Sequence, residues 1–493
     1  MAVAAADARE VLPGAGRDHV VVFPLMAKGH TLPLLHFAAA LAVHHGDELR
    51  VTVLTTPGNV AFVRRRLPAP VRIVALPFPA HPELPAGVES TDALPSRSLL
   101  PAFLRATALL REPFAGYLAS LPSPPLALVS DFFLGFTQRV ASEAGVRRIT
   151  FHGMSAFSLA LCFSLAIKTP PAASVHDGVP FRVPGFPESV TITADEVPQA
   201  VAQAADVDDP VTRFLADEVR DWDYRSWGVL VNSFAALDAD YAAILESFYL
   251  PGARAWLVGP LFLAAAESSE GDDDPEGCLP WLDERAGRPG SVVYVSFGTE
   301  VHVSAAQLDE LARGLVDSGH AFLWGVRSNA WAPPVDPGSD GKIVRGWVPQ
   351  RRVLAHPAVG GFVSHCGWNS VLESLAAGRP MLEWPVMAEQ AANAKHVADI
   401  IGAGFRVGTK TSGSTAAAEA LVGRAQVAEK VRELMDGGEA GRRMRARAEH
   451  VRQAARAAVG EGGTSRLALR QLVDELQSSH DGGDGRRSDQ QYE

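Results

Sequence analysis

Residues 347–390 read WVPQRRVLAHPAVGGFVSHCGWNSVLESLAAGRPMLEWPVMAEQ. Within this stretch, Gly360–Ser364 is predicted to form a short buried strand, His365-Cys366-Gly367 a turn, and Trp368–Ala377 a helix that ends at Gly378. In an open α/β sheet, ligands bind beyond the carboxyl ends of the strands, where the N-termini of the following helices point. The free N–H groups and the dipole of such a helix favour an anion such as a diphosphate.

The side chains around this predicted helix start suit a nucleotide sugar. His365, Asn369 and Ser370 lie where they can join the backbone amides around a diphosphate. Glu373 follows one turn later on the face of Asn369, and a ribose diol is its better partner because a carboxylate repels phosphate. Taken singly, each residue has a plainer interpretation: Asn or Ser as a helix cap, His365 as a structural histidine, and Trp347 as core. Those interpretations do not explain why the residues occur together.

The same order of strand, loop and helix occurs elsewhere in the chain. His19–Phe23 is a predicted strand, and a loop leads from it to a helix from Pro33 to Val43. The pattern restarts at Ser291–Phe297, before a helix in which Ser304 and Gln307 have the spacing of a capping box. Short apolar strands that alternate with helices predict parallel sheets, so the expected fold class is α/β with two Rossmann-like domains.

Length and composition limit the possible functions. A chain of 493 residues is expected to form two domains. Its net charge of −11 argues against nucleic acid or an anionic membrane as partner, because an acidic surface attracts neither. Three widely separated cysteines predict neither disulfides nor a metal site, which is typical of a reducing compartment. The most apolar stretch, Phe151–Ile167, is too short to span a membrane and is predicted to be a buried helix. We therefore expect a cytoplasmic protein.

Five further motifs indicate a family that this chain resembles. They are P-L-M-A-K-G-H (24–30), V-S-D-F-F (129–133), G-V-L-V-N-S-F (228–234), W-L-V-G-P-L (256–261) and Y-V-S-F-G-T (294–299). With residues 347–390, which match the nucleotide-sugar signature along its full length, they resemble the plant family 1 UDP-glycosyltransferases over nearly the whole chain. The resemblance implies the GT-B fold, in which two Rossmann-like domains face each other across a cleft.

The expected domain boundaries follow from composition and from this resemblance. An acceptor-binding domain is predicted at residues 1–255 and a UDP-sugar-binding domain at 256–459, with a polar, turn-rich linker at 261–280. By the resemblance, a last helix within residues 460–476 packs back on the first domain. Residues 477–493 are polar and predicted to be disordered.

The resemblance also implies which residues bind the donor. By the resemblance, Trp347 stacks on uracil with Val348 beside it, and ribose is bound by Gln350 and Glu373. The diphosphate is bound by Thr299, His365, Asn369 and Ser370. The sugar is held by Trp368, Glu389 and Gln390. Gln390 favours UDP-glucose, because a His at this position is associated with galactose. An Arg in place of Trp368 would suggest glucuronic acid. UDP-glucose is then a donor substrate, and neither a cofactor nor a metal is expected.

The resemblance makes His30 the catalytic base, and Asp131, at the end of the predicted strand Leu126–Ser130, its partner. Transfer to a hydroxyl requires removal of the acceptor's proton as the bond to the anomeric carbon forms, with inversion, and a neutral imidazole can do this near pH 7. A nearby helix N-terminus disfavours protonation of His30 whereas Asp131 favours it, and the sequence does not decide between them. Without the resemblance, His30 would be read as a surface histidine and Asp131 as a helix cap.

The expected acceptor is a small, hydrophobic plant metabolite that carries a hydroxyl, such as a flavonoid, another phenolic or a terpenoid. Its pocket should be lined by segments such as Ala80–Arg111 and Phe151–Lys168. A monomer is the family's default.

Three residues depart from the commonest pattern of the family. Lys28 stands where Gln often precedes the Gly-His pair, and it could affect acceptor binding or the charge of His30. Arg379 and Glu383 are also unusual, but neither is a ligand in the family's pattern, so little effect on the chemistry is expected.

Two rival interpretations remain. The sequences Asp206-Val207-Asp208 and Asp221-Trp222-Asp223 both read D-x-D, which indicates a metal-dependent glycosyltransferase of another architecture. Neither follows a buried strand, so a solvated face is the preferred interpretation of both. The second rival is a binding protein of the same fold that lacks activity, which would be expected to have lost His30 or Asp131.

Overall fold

Two parallel sheets, one from each half of the chain, organise the protein. The computed structural model describes residues 17–168, 179–204, 206, 208–265, 274–327, 330–408 and 421–481. The expectation of an α/β fold with parallel sheets is confirmed in these residues.

The first half supplies nine of the described strands. They are β1 Asp18–Phe23, β2 Leu49–Thr55, β3 Arg72–Ala75, β4 Ala127–Asp131, β5 Arg147–Phe151, β6 Phe181–Arg182, β7 Thr191–Ile192, β8 Gly228–Val231 and β9 Arg254–Leu257. Seven form a parallel sheet in the order β3-β2-β1-β4-β5-β8-β9, and β6 and β7 form a separate antiparallel pair. Strand β9 lies partly beyond residue 255, where the sequence analysis ended the first domain.

The second half forms another parallel sheet, in the order β12-β11-β10-β13-β14-β15. Its strands are β10 Val292–Ser296, β11 Ala321–Gly325, β12 Gly341–Val344, β13 Val359–Ser364, β14 Met381–Glu383 and β15 Gly404–Arg406. In each sheet the order reverses between two central strands, β1 and β4 in the first and β10 and β13 in the second. Such reversal points are where open α/β sheets bind ligands.

Helices cover both sheets. They are α1 Lys28–His45, α2 Val60–Arg64, α3 Leu100–Ala108, α4 Arg111–Ala119, α5 Phe136–Glu143, α6 Ala156–Ile167, α7 Gln199–Ala202, α8 Pro210–Phe214, α9 Asp221–Asp223, α10 Ala235–Glu246, α11 Leu261–Ala264, α12 Cys278–Asp283, α13 Ala305–Ser318, α14 Gln350–Ala355, α15 Trp368–Ala376, α16 Gln390–Lys395, α17 Arg424–Met435, α18 Gly438–Val459 and α19 Thr464–Asp481. Helix α11 and the start of α12 lie within the expected linker, of which residues 266–273 are outside the described part.

Helix α1 begins earlier than the sequence indicated. It starts at Lys28, so His30 belongs to its first turn and not to the loop before it. The prediction placed the start near Pro33, but this proline lies inside the helix. The residue that precedes the helix, Ala27, makes no side-chain cap, and the usual signal of a helix start is therefore missing.

The last helix, α19, packs on the first half. Leu469, Leu472, Val473 and Leu476 join the apolar core that contains β1 and β2. The helix continues to Asp481, so the first five residues of the tail that was expected to be disordered are helical. Residues 482–493 lie outside the described part of the chain.

The most apolar stretch divides into two elements. Phe151 ends β5, and α6 follows as a helix whose residues are mostly buried. The prediction of a helix is thus confirmed for Ala156–Ile167, and its burial is confirmed as far as Leu165, because Ile167 is exposed. Among the described residues, no helix is both long and apolar enough to cross a membrane.

Candidate active site

A cleft of about 1540 Å³ lies between the two halves and is lined by side chains from both. The residues that the sequence analysis singled out for catalysis or donor binding all line it except Asp131, which is bonded to His30. Two groups that are far apart in the sequence therefore meet in one cavity.

His30 and Asp131 form a close pair at the reversal point of the first sheet. His30 lies in the first turn of α1, after β1, and Asp131 is the last residue of β4 and is fully buried. Nδ1 of His30 lies 2.7 Å from Oδ2 of Asp131. A carboxylate can only accept, so Nδ1 carries the shared proton and Nε2 is left for a ligand. The backbone N–H of Phe133 donates to the other carboxylate oxygen of Asp131 at 3.1 Å and fixes its orientation.

The electrostatic question that the sequence left open at His30 is decided by its neighbours. Burial lowers the pKa of His30, but the charge and the hydrogen bond of Asp131, with more distant contributions from Glu389 and Glu300, outweigh it and raise the pKa above its ordinary value. Asp131 therefore makes His30 a stronger base than a free histidine.

Helix α15 begins with its N–H groups open to the cleft. Its N-cap residue is Gly367, which has no side chain to cap them. Asn369 and Ser370 make their hydrogen bonds elsewhere, so the interpretation of these residues as helix caps does not apply. Cys366, with φ of 66°, turns the chain from β13 into this helix. An anion approaching through the cleft meets these free N–H groups.

His365 is confined between two glycines. A Cβ atom on Gly298 or Gly367 would come within 2.7 or 2.5 Å of its Nε2, so only glycine leaves room for the ring. Burial lowers the pKa of His365 to about 4, although a backbone hydrogen bond with Ser296 opposes this. At neutral pH it is an uncharged imidazole with a single N–H, which either the carbonyl of Ser296 or a ligand oxygen can accept. Thr299 follows Gly298 and lines the same end of the cleft.

The residues expected to bind ribose are bonded to one another. Nε2 of Gln350 donates to Oε2 of Glu373 at 2.8 Å and to Oγ of Ser370 at 3.1 Å. These bonds connect the start of α14 to the face of α15 that lines the cleft. Trp347 and Val348 come just before α14 and line the cleft, and the buried indole N–H of Trp347 has no protein partner among the described residues.

Gln390 is held so that its amide nitrogen is free. Its Oε1 accepts from the backbone N–H groups of Val386 and Met387, both at 3.0 Å, so the NH₂ group is left for a ligand. The neighbouring Glu389 accepts from Nδ2 of Asn393 at 3.2 Å. Burial raises the pKa of Glu389, and part of that rise is opposed by the charge of His30 across the cleft.

Two of the expected donor ligands also connect the halves, which the sequence analysis missed. The indole N–H of Trp368 donates to the carbonyl of Asn232 at 2.8 Å, and its ring is 2% exposed, so the ring mainly packs in the interior. Nδ2 of Asn369 donates to the carbonyl of Gly29 at 2.7 Å. Pro33, four residues after Gly29, has no N–H to give that carbonyl its helical bond. Pro33 was therefore the feature of the sequence from which the contact between Asn369 and Gly29 could have been predicted.

The three unusual residues have structural partners or surroundings of their own, and one of them, Lys28, lines the cleft. Lys28 forms an ion pair with Asp92 at 2.8 Å. Arg379 donates to the carbonyls of Leu354 and His356 at 2.7 and 3.1 Å. Glu383 is fully buried with neither oxygen hydrogen-bonded among the described residues, and burial raises its pKa well above the ordinary range.

The D-x-D sequences differ from each other in the structure. Asp206, Asp208 and Asp221 are exposed, as a solvated face requires, whereas Val207 lies outside the described residues. Asp223 is buried, so the prediction of a solvated face is wrong for this residue. It is compensated by Arg148, at 3.4 Å, which is distant in the sequence. Within the described part of the chain, no group of three or more His, Cys, Asp or Glu side chains is arranged to hold a metal ion.

Over most of its length, the chain is similar in sequence to proteins whose names all describe glycosyl transfer. Residues 265–429 match the family described as "UDP-glucoronosyl and UDP-glucosyl transferase". UDP-glycosyltransferase 73B4 of Arabidopsis thaliana is 36% identical over 93% of this chain and 98% of that protein. Scopoletin glucosyltransferase of Nicotiana tabacum and anthocyanin 3'-O-beta-glucosyltransferase of Gentiana triflora are each 35% identical, over 94% and 93% of this chain and 98% of each protein.

Solved structures have the same architecture. Glycyrrhiza uralensis UGT73P12, complexed with glycyrrhetinic acid 3-O-monoglucuronide, has a TM-score of 0.81 and 29% identity over 94% of this chain and 96% of that one. Medicago truncatula UGT71G1, complexed with UDP-glucose, has a TM-score of 0.75 and 25% identity over 94% of this chain and 98% of that one. The two facing domains described above are common to all three proteins.

Proposed function

Because the chain belongs to the plant UDP-glycosyltransferases and has their GT-B fold, we propose that it transfers glucose from UDP-glucose to a hydroxyl of a small plant metabolite, with inversion at the anomeric carbon. The first half, expected at residues 1–255, holds the acceptor and the base, and the second, at 256–459, holds the donor. The observation that supports this is the single cleft in which the His30–Asp131 pair faces the start of α15.

The reaction proceeds by direct displacement. Nε2 of His30 removes the proton of the acceptor hydroxyl as its oxygen attacks the anomeric carbon, because Nδ1 is engaged by Asp131. Asp131 keeps the ring in this tautomer and stabilises the imidazolium that forms. The bond from the anomeric carbon to the diphosphate oxygen breaks as the new bond forms, and UDP leaves with the bonding electrons.

Several neutral donors stabilise the leaving diphosphate. The N–H groups at the start of α15 face it, and Asn369, Ser370 and Thr299 lie beside them. His365 adds one N–H without a full positive charge, since burial keeps its pKa at about 4. In this mechanism these groups do what a metal ion does in the rival architecture, so activity should survive a chelator.

Different residues that line the cleft suit the proposed donor and the proposed acceptor. The free amide nitrogen of Gln390 and the carboxyl of Glu389 suit the hydroxyls of glucose. Aromatic rings of Phe132, Phe133 and Phe163 in the other wall suit an apolar, aromatic acceptor. Two of the relatives are named for anthocyanin and scopoletin, both of which are phenolic.

The test is an assay of the purified full chain with UDP-glucose and a panel of phenolic and terpenoid alcohols. Product mass and the configuration of the new linkage are read out, with and without a chelator. We expect glucosides with a β linkage, formed equally well in both conditions. Binding of UDP-glucose without any transfer or hydrolysis would instead identify a silent binding protein, and loss of activity with the chelator would favour the metal-dependent rival.

A further inference from the structure

A second histidine–aspartate pair lies in the wall of the same cleft. Nε2 of His152 lies 2.9 Å from Oδ2 of Asp223, and their side chains are only 5% and 6% exposed. Asp223 also accepts from the hydroxyls of Thr150 and Tyr249, at 2.6 and 3.3 Å. Arg148 completes its surroundings. So many partners fix the carboxylate, which in turn fixes the imidazole.

The partner of His152 sets which ring nitrogen carries the proton. Burial alone would raise the pKa of Asp223, but His152, Arg148 and Thr150 hold it at about 2, so Asp223 is ionised at neutral pH. An ionised carboxylate only accepts hydrogen bonds. Nε2 therefore carries the proton shared with Asp223, and Nδ1 is the ring nitrogen left for a ligand.

The second ring nitrogen of His152, Nδ1, is open to the cleft. Nδ1 has no hydrogen-bond partner among the described residues and is not sealed from the cavity, whose wall includes this residue. Phe132 stacks on the ring at 4.4 Å and 12°, and Phe163 packs against it edge-on at 5.7 Å. These contacts come from the first half and keep the ring from turning.

We propose that Nδ1 of His152 forms a hydrogen bond with a second hydroxyl of the acceptor, distinct from the one that is glucosylated. The proposal rests on the proposed function and specifies its substrate class as aromatic diols and polyols. Phe132 packs against both His30, at 6.2 Å, and His152. An aromatic acceptor lying along Phe132 can thus present one hydroxyl to the base and another to His152.

The test uses pairs of acceptors, each a mono-ol and a symmetric diol that differ by one hydroxyl. They are 2-naphthol with 2,6-dihydroxynaphthalene, and 4-phenylphenol with biphenyl-4,4'-diol, each assayed with saturating UDP-glucose. For the unmodified chain, we expect kcat/KM for the diol to exceed that for the mono-ol by about tenfold, the value of one well-placed hydrogen bond. Two equivalent hydroxyls alone give only a twofold preference.

His152→Phe removes the free ring nitrogen altogether, whereas His152→Gln replaces it with an amide group that can still hydrogen-bond a hydroxyl. Phe keeps a ring on Phe132 but leaves Asp223 without this donor, whereas Gln keeps a donor for Asp223. Tyr249→Phe is the matched control, because Tyr249 bonds to Asp223 but does not line the cleft. His152→Phe should lose the diol preference mainly through a higher KM for the diol, His152→Gln should keep part of it, and the control should keep it.

The possible outcomes distinguish a failure of the proposed function from a failure of the role proposed for His152. If the unmodified chain glucosylates no acceptor, the proposed function fails. If it glucosylates both kinds without preferring diols, or if a His152→Phe variant that still converts mono-ols keeps the preference, His152 has no such role. A rise in the KM for UDP-glucose with an unchanged acceptor preference would place His152 at the donor and also overturn the inference.

Discussion

The two histidines of the cleft, His30 and His365, occupy similar places in the two sheets. Each follows a strand at the point where the strand order reverses and lies at or just before the start of a helix. Their surroundings have opposite effects. Asp131 raises the pKa of His30, whereas His365, packed between glycines with no carboxylate bonded to it, has a pKa lowered to about 4.

In the proposed reaction, this difference lets one residue type serve two purposes. A buried carboxylate makes the first imidazole a proton acceptor. Burial without a charged partner keeps the second neutral, so that it can donate to the diphosphate without ever taking the acceptor's proton. The chemistry therefore follows from what each ring touches, and not from its position in the fold.

The largest expected effect is at the first histidine. His30→Ala should lower kcat by about 10²- to 10⁴-fold, because the acceptor's proton loses its base. UDP affinity, measured by calorimetry, should stay unchanged. The matched control is His320→Ala, which removes a histidine paired with Asp436 at the surface. A variant with nearly full turnover would show that His30 is not the base.

The next effect separates the base from its positioning residue. Asp131→Asn should lower the maximal kcat/KM roughly ten- to a hundredfold, because the ring loses its orienting partner. It should also move the acidic limb of the pH profile to lower pH. His30 acts when deprotonated, so activity falls as pH drops through its pKa, and Asn removes the charge that raises that pKa. If the acidic limb does not move in this variant, a group other than His30 causes it.

A smaller effect is expected at the second histidine. His365→Ala should weaken UDP binding by about tenfold, the value of one hydrogen bond, and leave the acidic limb unchanged. With a pKa of about 4, His365 is neutral throughout the range in which His30 titrates. Calorimetry with UDP from pH 6 to 9 measures this. A UDP affinity that rises steeply at the acidic end would mean that His365 binds as a cation.

The smallest effect is expected at the hydrogen bond between Asn369 and Gly29, which joins the two halves of the chain. Pro33→Ala restores a helical donor to the carbonyl of Gly29, which Asn369 now contacts. Unfolding free energy should rise by about 1–2 kcal/mol, since proline inside a helix is unfavourable. The kcat/KM should fall only a few-fold as Asn369 loses its partner. Denaturant titration and kinetics test both, and a loss of stability would contradict the account.

The parts of the fold that depend on local pattern could be predicted from the sequence. Strand β1, strand β13 and the helix after Gly367 were found because apolar runs and turns are neighbours in the chain. Ser304 caps α13 as expected, but Gln307 does not complete the capping box, because its side chain bonds to the backbone of Val422. A distant segment overrode the local signal.

The rest required contacts that no local pattern shows. Asp223 was predicted to be solvated because it does not follow a buried strand, yet Arg148 and His152 make it part of the interior. The early start of α1 lacked a capping residue to mark it. Family resemblance suggested the pair of His30 and Asp131, but the direction of the pKa shift at His30 needed the distance between them.

A crystal structure of the chain with the non-transferable donor UDP-2-fluoroglucose and 2-naphthol tests the central claim most directly. The account predicts the diphosphate at the start of α15, beside His365, and the naphthol hydroxyl within hydrogen-bond distance of Nε2 of His30, with the anomeric carbon between them. A naphthol hydroxyl turned away from His30, or a diphosphate away from α15, would contradict it.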